Sequence, residues 1–80
     1  MDTKIRQLED IIEVIARMIP KERQSQNIYR ETAGWAPNEM ARLLFLKLAE
    51  DEETHASKLD AALQLLRREL EEAKKTIDTD

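Results

Sequence analysis

With 80 residues, 38% of them charged, a net charge of −4 and no cysteine, the chain has room for one small domain. It can hold neither a disulfide nor a thiolate-bound zinc or iron–sulfur site. An acidic surface argues against a nucleic-acid partner, and the apolar run Leu43-Leu44-Phe45-Leu46 stops at Lys47, far short of membrane length. The start, Met1-Asp2-Thr3-Lys4, shows no secretory pattern, so the expectation is a soluble cytoplasmic protein. A chain this short buries little surface alone. Oligomerisation, or a metal held by carboxylate and imidazole, is what remains to stabilise it.

The first element is a helix over about residues 3–33. Its alternating three- and four-residue spacing picks out Ile5, Leu8, Ile12, Ile15, Ile19, Glu22, Gln26, Tyr29 and Ala33. Pro20 falls inside this pattern. Because the stripe continues in phase across it, a kink is expected there rather than a break. Gly34, Pro37 and Asn38 mark a loop over about 34–37, with Trp35 and Phe45 expected to pack around it. A second helix follows over about 38–75. Its stripe reads Ala41, Phe45, Leu48, Glu52, His55, Leu59, Ala62, Leu66 and Glu69, widened by Leu44, Leu63 and Leu70.

A short loop makes the helices antiparallel neighbours. The fold expected for residues 1–80 is therefore all-α, an antiparallel two-helix hairpin. A hairpin covers only part of each apolar stripe, and a second copy, closing a four-helix bundle, is the simplest cover for the rest. The expected partner is a homodimer, and a larger assembly of dimers is compatible with it. No nucleic acid or membrane partner is expected.

Three ionisable residues interrupt the stripes: Glu22 on the first helix, Glu52 and His55 on the second. Acids are almost never fully buried unpaired. Counted from the loop end, Glu22 and Glu52 lie roughly 17 and 23 Å along their helices, level within about one turn. Glu52 and His55 are three residues apart and share a face. One Glu on one helix with Glu-x-x-His on its neighbour is half of the di-iron carboxylate pattern, which two copies would complete. Glu22, Glu52 and His55 are thus the candidate metal ligands, with two iron ions per dimer and manganese or zinc as substitutes. The structural alternative is a hydrogen-bonded Glu52–His55 pair and a Glu22 paired with an arginine at the seam edge. Tyr29 and Gln26 lie close along the seam, Gln26 as a buried spacer or a group that orients a ligand.

Two stretches carry a family likeness. Glu22-Arg23-Gln24-Ser25-Gln26-Asn27-Ile28-Tyr29 resembles the first-helix segment of the rubrerythrin branch of the ferritin-like superfamily, a metal Glu followed seven residues later by Tyr. Leu48-Ala49-Glu50-Asp51-Glu52-Glu53-Thr54-His55-Ala56 resembles its second-helix segment. The resemblance implies iron ligation by Glu22, Glu52 and His55, with Tyr29 near the site as a hydrogen-bond donor to a ligand. A full rubrerythrin carries four bundle helices and a cysteine-built rubredoxin-like iron site. This chain has half the helices and no cysteine, a layout similar to the encapsulated ferritins. The tail Thr76-Ile77-Asp78-Thr79-Asp80 does not resemble a shell-docking peptide. The activity expected is oxidation of Fe(II) by oxygen or peroxide at a site shared between two chains. The alternatives are metal binding or storage without turnover, and peroxide reduction fed by a separate electron donor.

Overall fold

Two helices account for nearly all of the computed structural model, which describes residues 3–78, and the side chains of residues 3–76. Met1, Asp2, Thr79 and Asp80 lie outside the described residues. Helix α1 spans Thr3–Gly34 and helix α2 spans Glu39–Asp78. No strand occurs among the described residues. The pair forms a rod of 64 × 14 × 12 Å with a Cα radius of gyration of 18.4 Å. A compact domain of this length would have a radius of gyration of about 12 Å. The hairpin therefore encloses a seam and no three-dimensional core. Among the described residues, no helix is long and apolar enough to cross a membrane.

Local chemistry fixes the turn. Helix α1 closes on shorter three-residue bonds, Trp35 N–H to Thr32 C=O at 3.2 Å and Ala36 N–H to Ala33 C=O at 3.4 Å. Asn38 then caps α2: its side-chain oxygen accepts from the Ala41 N–H at 2.8 Å, and its carbonyl accepts from the Arg42 N–H at 3.0 Å. Such a cap is worth about 1 kcal/mol. Glu39 in the first turn favours the positive end of the helix and pairs with Arg42. Pro20 lies within α1, which continues through it as one helix. Its missing N–H deprives the Ala16 carbonyl of a partner, the usual cost of an internal proline.

The seam is narrow. Gln26 and Ala33 on α1 and Ala49, Ala56 and Leu63 on α2 are buried. Every position of the α1 stripe, from Ile5 to Ala33, is buried or half-buried. On α2 the seam is rotated from the sequence expectation. The face that meets α1 runs Phe45, Ala49, Glu52, Ala56, Leu59, Leu63, Leu66 and Leu70, whereas His55 and Glu69 are exposed. Small alanines at 49 and 56 let the helices approach closely, which larger stripe residues would prevent. Trp35 is also a correction. Its side chain does not pack around the loop and is 71% exposed, while Phe45 packs on Tyr29 with ring centroids 6.2 Å apart.

The hairpin has two unlike faces. Along one, Arg30 pairs with Glu53 at 3.4 Å and Glu9 with Lys74 at 3.7 Å, so ion pairs bridge the helices there. The opposite face carries Ile11, Val14, Met18 and Ile28 from α1 and Leu44 and Leu65 from α2, all exposed. Lys4 pairs with Glu69 at 3.8 Å near the chain ends on this side. Exposed pairs of this kind contribute about 0–1 kcal/mol each, so neither face is held together mainly by charge.

Candidate metal centre

Midway along the apolar face, the seam admits three ionisable side chains. Glu22 descends from α1, two residues past Pro20, and Glu52 and His55 rise from successive turns of α2. One potential ligand atom from each falls within 4.8 Å of the others. The structure thus brings together the three residues singled out from the sequence. The two carboxyls point inward, with side chains 23% and 19% exposed, whereas the imidazole, at 57%, lies on the open face.

The internal contacts leave the group unsatisfied. His55 Nδ1 is 3.6 Å from Glu52 Oε1 and 3.7 Å from Glu22 Oε2, too far for a hydrogen bond in either case. Glu22 Oε2 is buried and has no hydrogen-bond partner. A buried carboxylate oxygen without a donor costs free energy that a cation would recover. Neither a hydrogen-bonded Glu52–His55 pair nor an arginine on Glu22 is formed. Two carboxylates and an imidazole converging on an orphaned oxygen are a donor set suited to a divalent transition metal. The residues present therefore fit an iron site.

Electrostatics point the same way. The neighbouring Glu22 carboxyl, which favours a protonated partner that can donate to it, holds Glu52 above the ordinary carboxylate range. Burial and the Glu22 charge add to this, and His55 opposes it. The folded protein therefore binds protons at Glu52 more readily than the unfolded chain does. That contribution to stability is present at low pH and is lost as pH rises through the raised value. Without metal, wild type should gain more thermal stability than Glu52→Gln when pH falls from 7 towards 5. Chelator-treated melts of both proteins check this, and parallel curves would refute it. Comparing the pair removes the opposite trend from Glu39, which the hydrogen bond from Arg42 lowers.

A cleft of about 270 Å³ opens beside the group, lined by Met18, Glu22, His55, Lys58 and Leu59. Lys58 was not among the sequence candidates. Its one signal was the lack of an acid three or four residues away, and no ion pair engages it among the described residues. Gln26 is buried one turn from Glu22 and makes no hydrogen bond to the three. The Tyr29 ring lies against Phe45.

The rubrerythrin family model matches residues 13–79, most of the chain and all three converging residues. Neither a curated protein nor a solved structure matches it.

Proposed function

The chain belongs to the rubrerythrin family, and from that premise we propose that it binds iron at Glu22, Glu52 and His55 and oxidises Fe(II) at a centre completed by a second copy of itself. The observation that carries this reading is the buried, unpartnered Glu22 Oε2 facing Glu52 and His55. One hairpin supplies two carboxylates and one imidazole. The di-iron carboxylate pattern takes four and two, and a two-fold dimer doubles the set. The same dimer would cover Ile11, Val14, Met18, Leu44 and Leu65, which a monomer leaves in water.

Iron supplies the redox chemistry when bound: two ferrous ions together give the two electrons that reduce oxygen to hydrogen peroxide, or peroxide to two waters. The protein's own part is to bind and position. Glu22 and Glu52 would hold the cations and offset their charge, and His55 would supply a nitrogen ligand. Met18 and Leu59, on the wall of the cleft, limit water around the site. No cysteine is available to relay electrons, so sustained peroxide reduction would need a separate donor.

An anaerobic Fe(II) titration of the full chain, followed by size separation and exposure to oxygen or peroxide, tests this. The expected result is about one iron per chain in a dimer, as the pattern requires, with oxidation faster than in buffer. Iron bound with no acceleration would leave a binding or storage role. A monomer that takes up no iron would refute the reading altogether.

A further inference from the structure

The turn end of the hairpin carries a second apolar surface, on the side away from His55. We propose that it is a self-association site, at which the turn of one copy packs against the turn of another. The Arg30–Glu53 bridge fixes the face. Gly34 stands one turn beyond Arg30 on α1, and Leu46 two turns before Glu53 on α2, so both continue that face towards the turn. Leu46 and His55, nine residues apart, point to opposite sides of α2. Met40, Leu43 and Leu46, spaced three apart, form a continuous apolar ridge at this end of α2. All three are exposed, as is Trp35.

The single hairpin gives these residues nothing to pack on. Between Met40 and Ala49, α2 has apolar residues on every side. Phe45 and Ala49 meet α1, Leu44 opens onto the face of the metal ligands, and Leu43 and Leu46 open onto the other. A helix that is apolar all round needs neighbours all round. The copy that would complete the metal centre covers the Leu44 side and leaves Leu43 and Leu46 in water.

Gly34 is an independent observation. Glycine weakens a helix relative to alanine, and a helix end gains from it where the chain turns left-handed. Gly34 has no positive φ, and a Cβ added to it would meet nothing within 4 Å. The hairpin itself therefore has no use for a glycine there. A bare backbone beside an apolar ridge suits the close approach of a side chain from outside.

A second copy is the occupant that fits. A two-fold contact must be self-complementary, and this patch carries a knob and a hollow at adjacent positions. Turning one copy over sets each Trp35 indole against the other's Gly34. The four apolar side chains expose on the order of 500 Å² per copy, so a pair buries about the 1,000 Å² that a specific contact needs. An anionic lipid surface fits less well. Arg30, Arg42 and Lys47, the cations around the patch, already pair with Glu53, Glu39 and Asp51. Glu50, four residues past Leu46, is an exposed acid on the same face. The contact does not rest on the metal, and where the shared centre also forms, each dimer carries two turn patches and assembles further.

Trp35 is the one tryptophan of the chain, so its fluorescence reports on the patch. As metal-free wild type is concentrated through the micromolar range, its emission should move to shorter wavelength and resist acrylamide, while the mass from light scattering rises in step. Leu43→Glu/Leu46→Glu changes only exposed positions. It should keep the emission of an exposed indole throughout, lower the mass about twofold or more, and take up as much iron as wild type. Gly34→Ala should raise the melting temperature of the dilute protein, because the unfolded chain loses freedom. The same change should weaken association about tenfold or more, because the added carbon overfills the contact. Opposite signs from one methyl group are not expected of a residue that matters only to the hairpin. An indole that stays exposed at every concentration, or a Gly34→Ala protein that associates like wild type, would overturn the proposal. So would an indole buried only on anionic vesicles. A shift seen only with iron and lost in Glu52→Ala would trace the burial to the metal-side dimer and overturn it as well. Failure of iron uptake with the concentration-dependent shift intact would refute the metal reading and support this one.

Discussion

Glu52→Ala is expected to lower iron affinity by more than about 100-fold and to abolish any accelerated Fe(II) oxidation. Groups that merely support a metal ligand already cost 10- to 100-fold when removed, and Glu52 is a candidate ligand itself. Its carboxyl is mostly buried, faces Glu22 and lies three residues from His55. In a two-fold dimer one substitution deletes two carboxylates at once. Misfolding can be told apart from ligand loss by the sign of the stability change. Glu22 holds Glu52 above the usual carboxylate range, so the two acids repel in the metal-free state. Removing one should leave the metal-free hairpin at least as stable at pH 7, while iron no longer raises its melting temperature. Wild type should gain stability with iron through linkage. Glu50→Ala, at an exposed position off the seam, is the control and should behave as wild type. Metal analysis after desalting, with melts in iron and in chelator, decides it. Stoichiometric iron in Glu52→Ala would refute ligation.

The two helices were legible in the sequence to different depths, for a physical reason. Helix α1 buries its regularly spaced stripe from Ile5 to Ala33 against α2, and its exposed apolar residues, Ile11, Val14, Met18 and Ile28, fall outside that spacing. Helix α2 carries apolar residues on two faces at once. One face meets α1 through Ala49, Ala56 and Leu63, and the other is open, with Leu44 and Leu65 on it. A stripe drawn through the largest apolar residues averages the two. It therefore placed His55 and Glu69 in the seam and passed over Ala49 and Ala56, whose small side chains carry little hydrophobic signal. The convergence of Glu22, Glu52 and His55 was readable because a charge in an apolar stripe demands a reason. Lys58 stayed hidden because an exposed lysine is the commonest of surface residues, and only its place on the cleft wall distinguishes it. Trp35 misled in the other direction: its size suggested packing, but a hairpin 12 Å thick offers nothing at its turn to bury it.

Ala56→Leu should be the most damaging single change to the hairpin itself. Ala56 is 0% exposed, directly follows His55 and lies where α2 presses on α1. A leucine there adds three carbons with no space to receive them. Overpacking of a tight core typically costs 1–3 kcal/mol, and an 80-residue chain has only about 4–12 kcal/mol in total. In a domain of this size, each kcal/mol moves the melting temperature by roughly 4–8 °C. A fall on the order of 10 °C or more is therefore expected in the metal-free protein. Iron uptake should suffer as well, because spreading the helices draws Glu22 away from Glu52 and His55, which are fixed to one another on α2. Ala61→Leu makes the same chemical change at an exposed position of the same helix and should stay within about 0.5 kcal/mol of wild type. Thermal melts of the three proteins, followed by iron titration at a temperature where all are folded, separate the two effects. An Ala56→Leu protein that melts with wild type would mean that the seam is looser than its burial indicates. The convergence of the three donors, which depends on that close approach, would lose its structural basis.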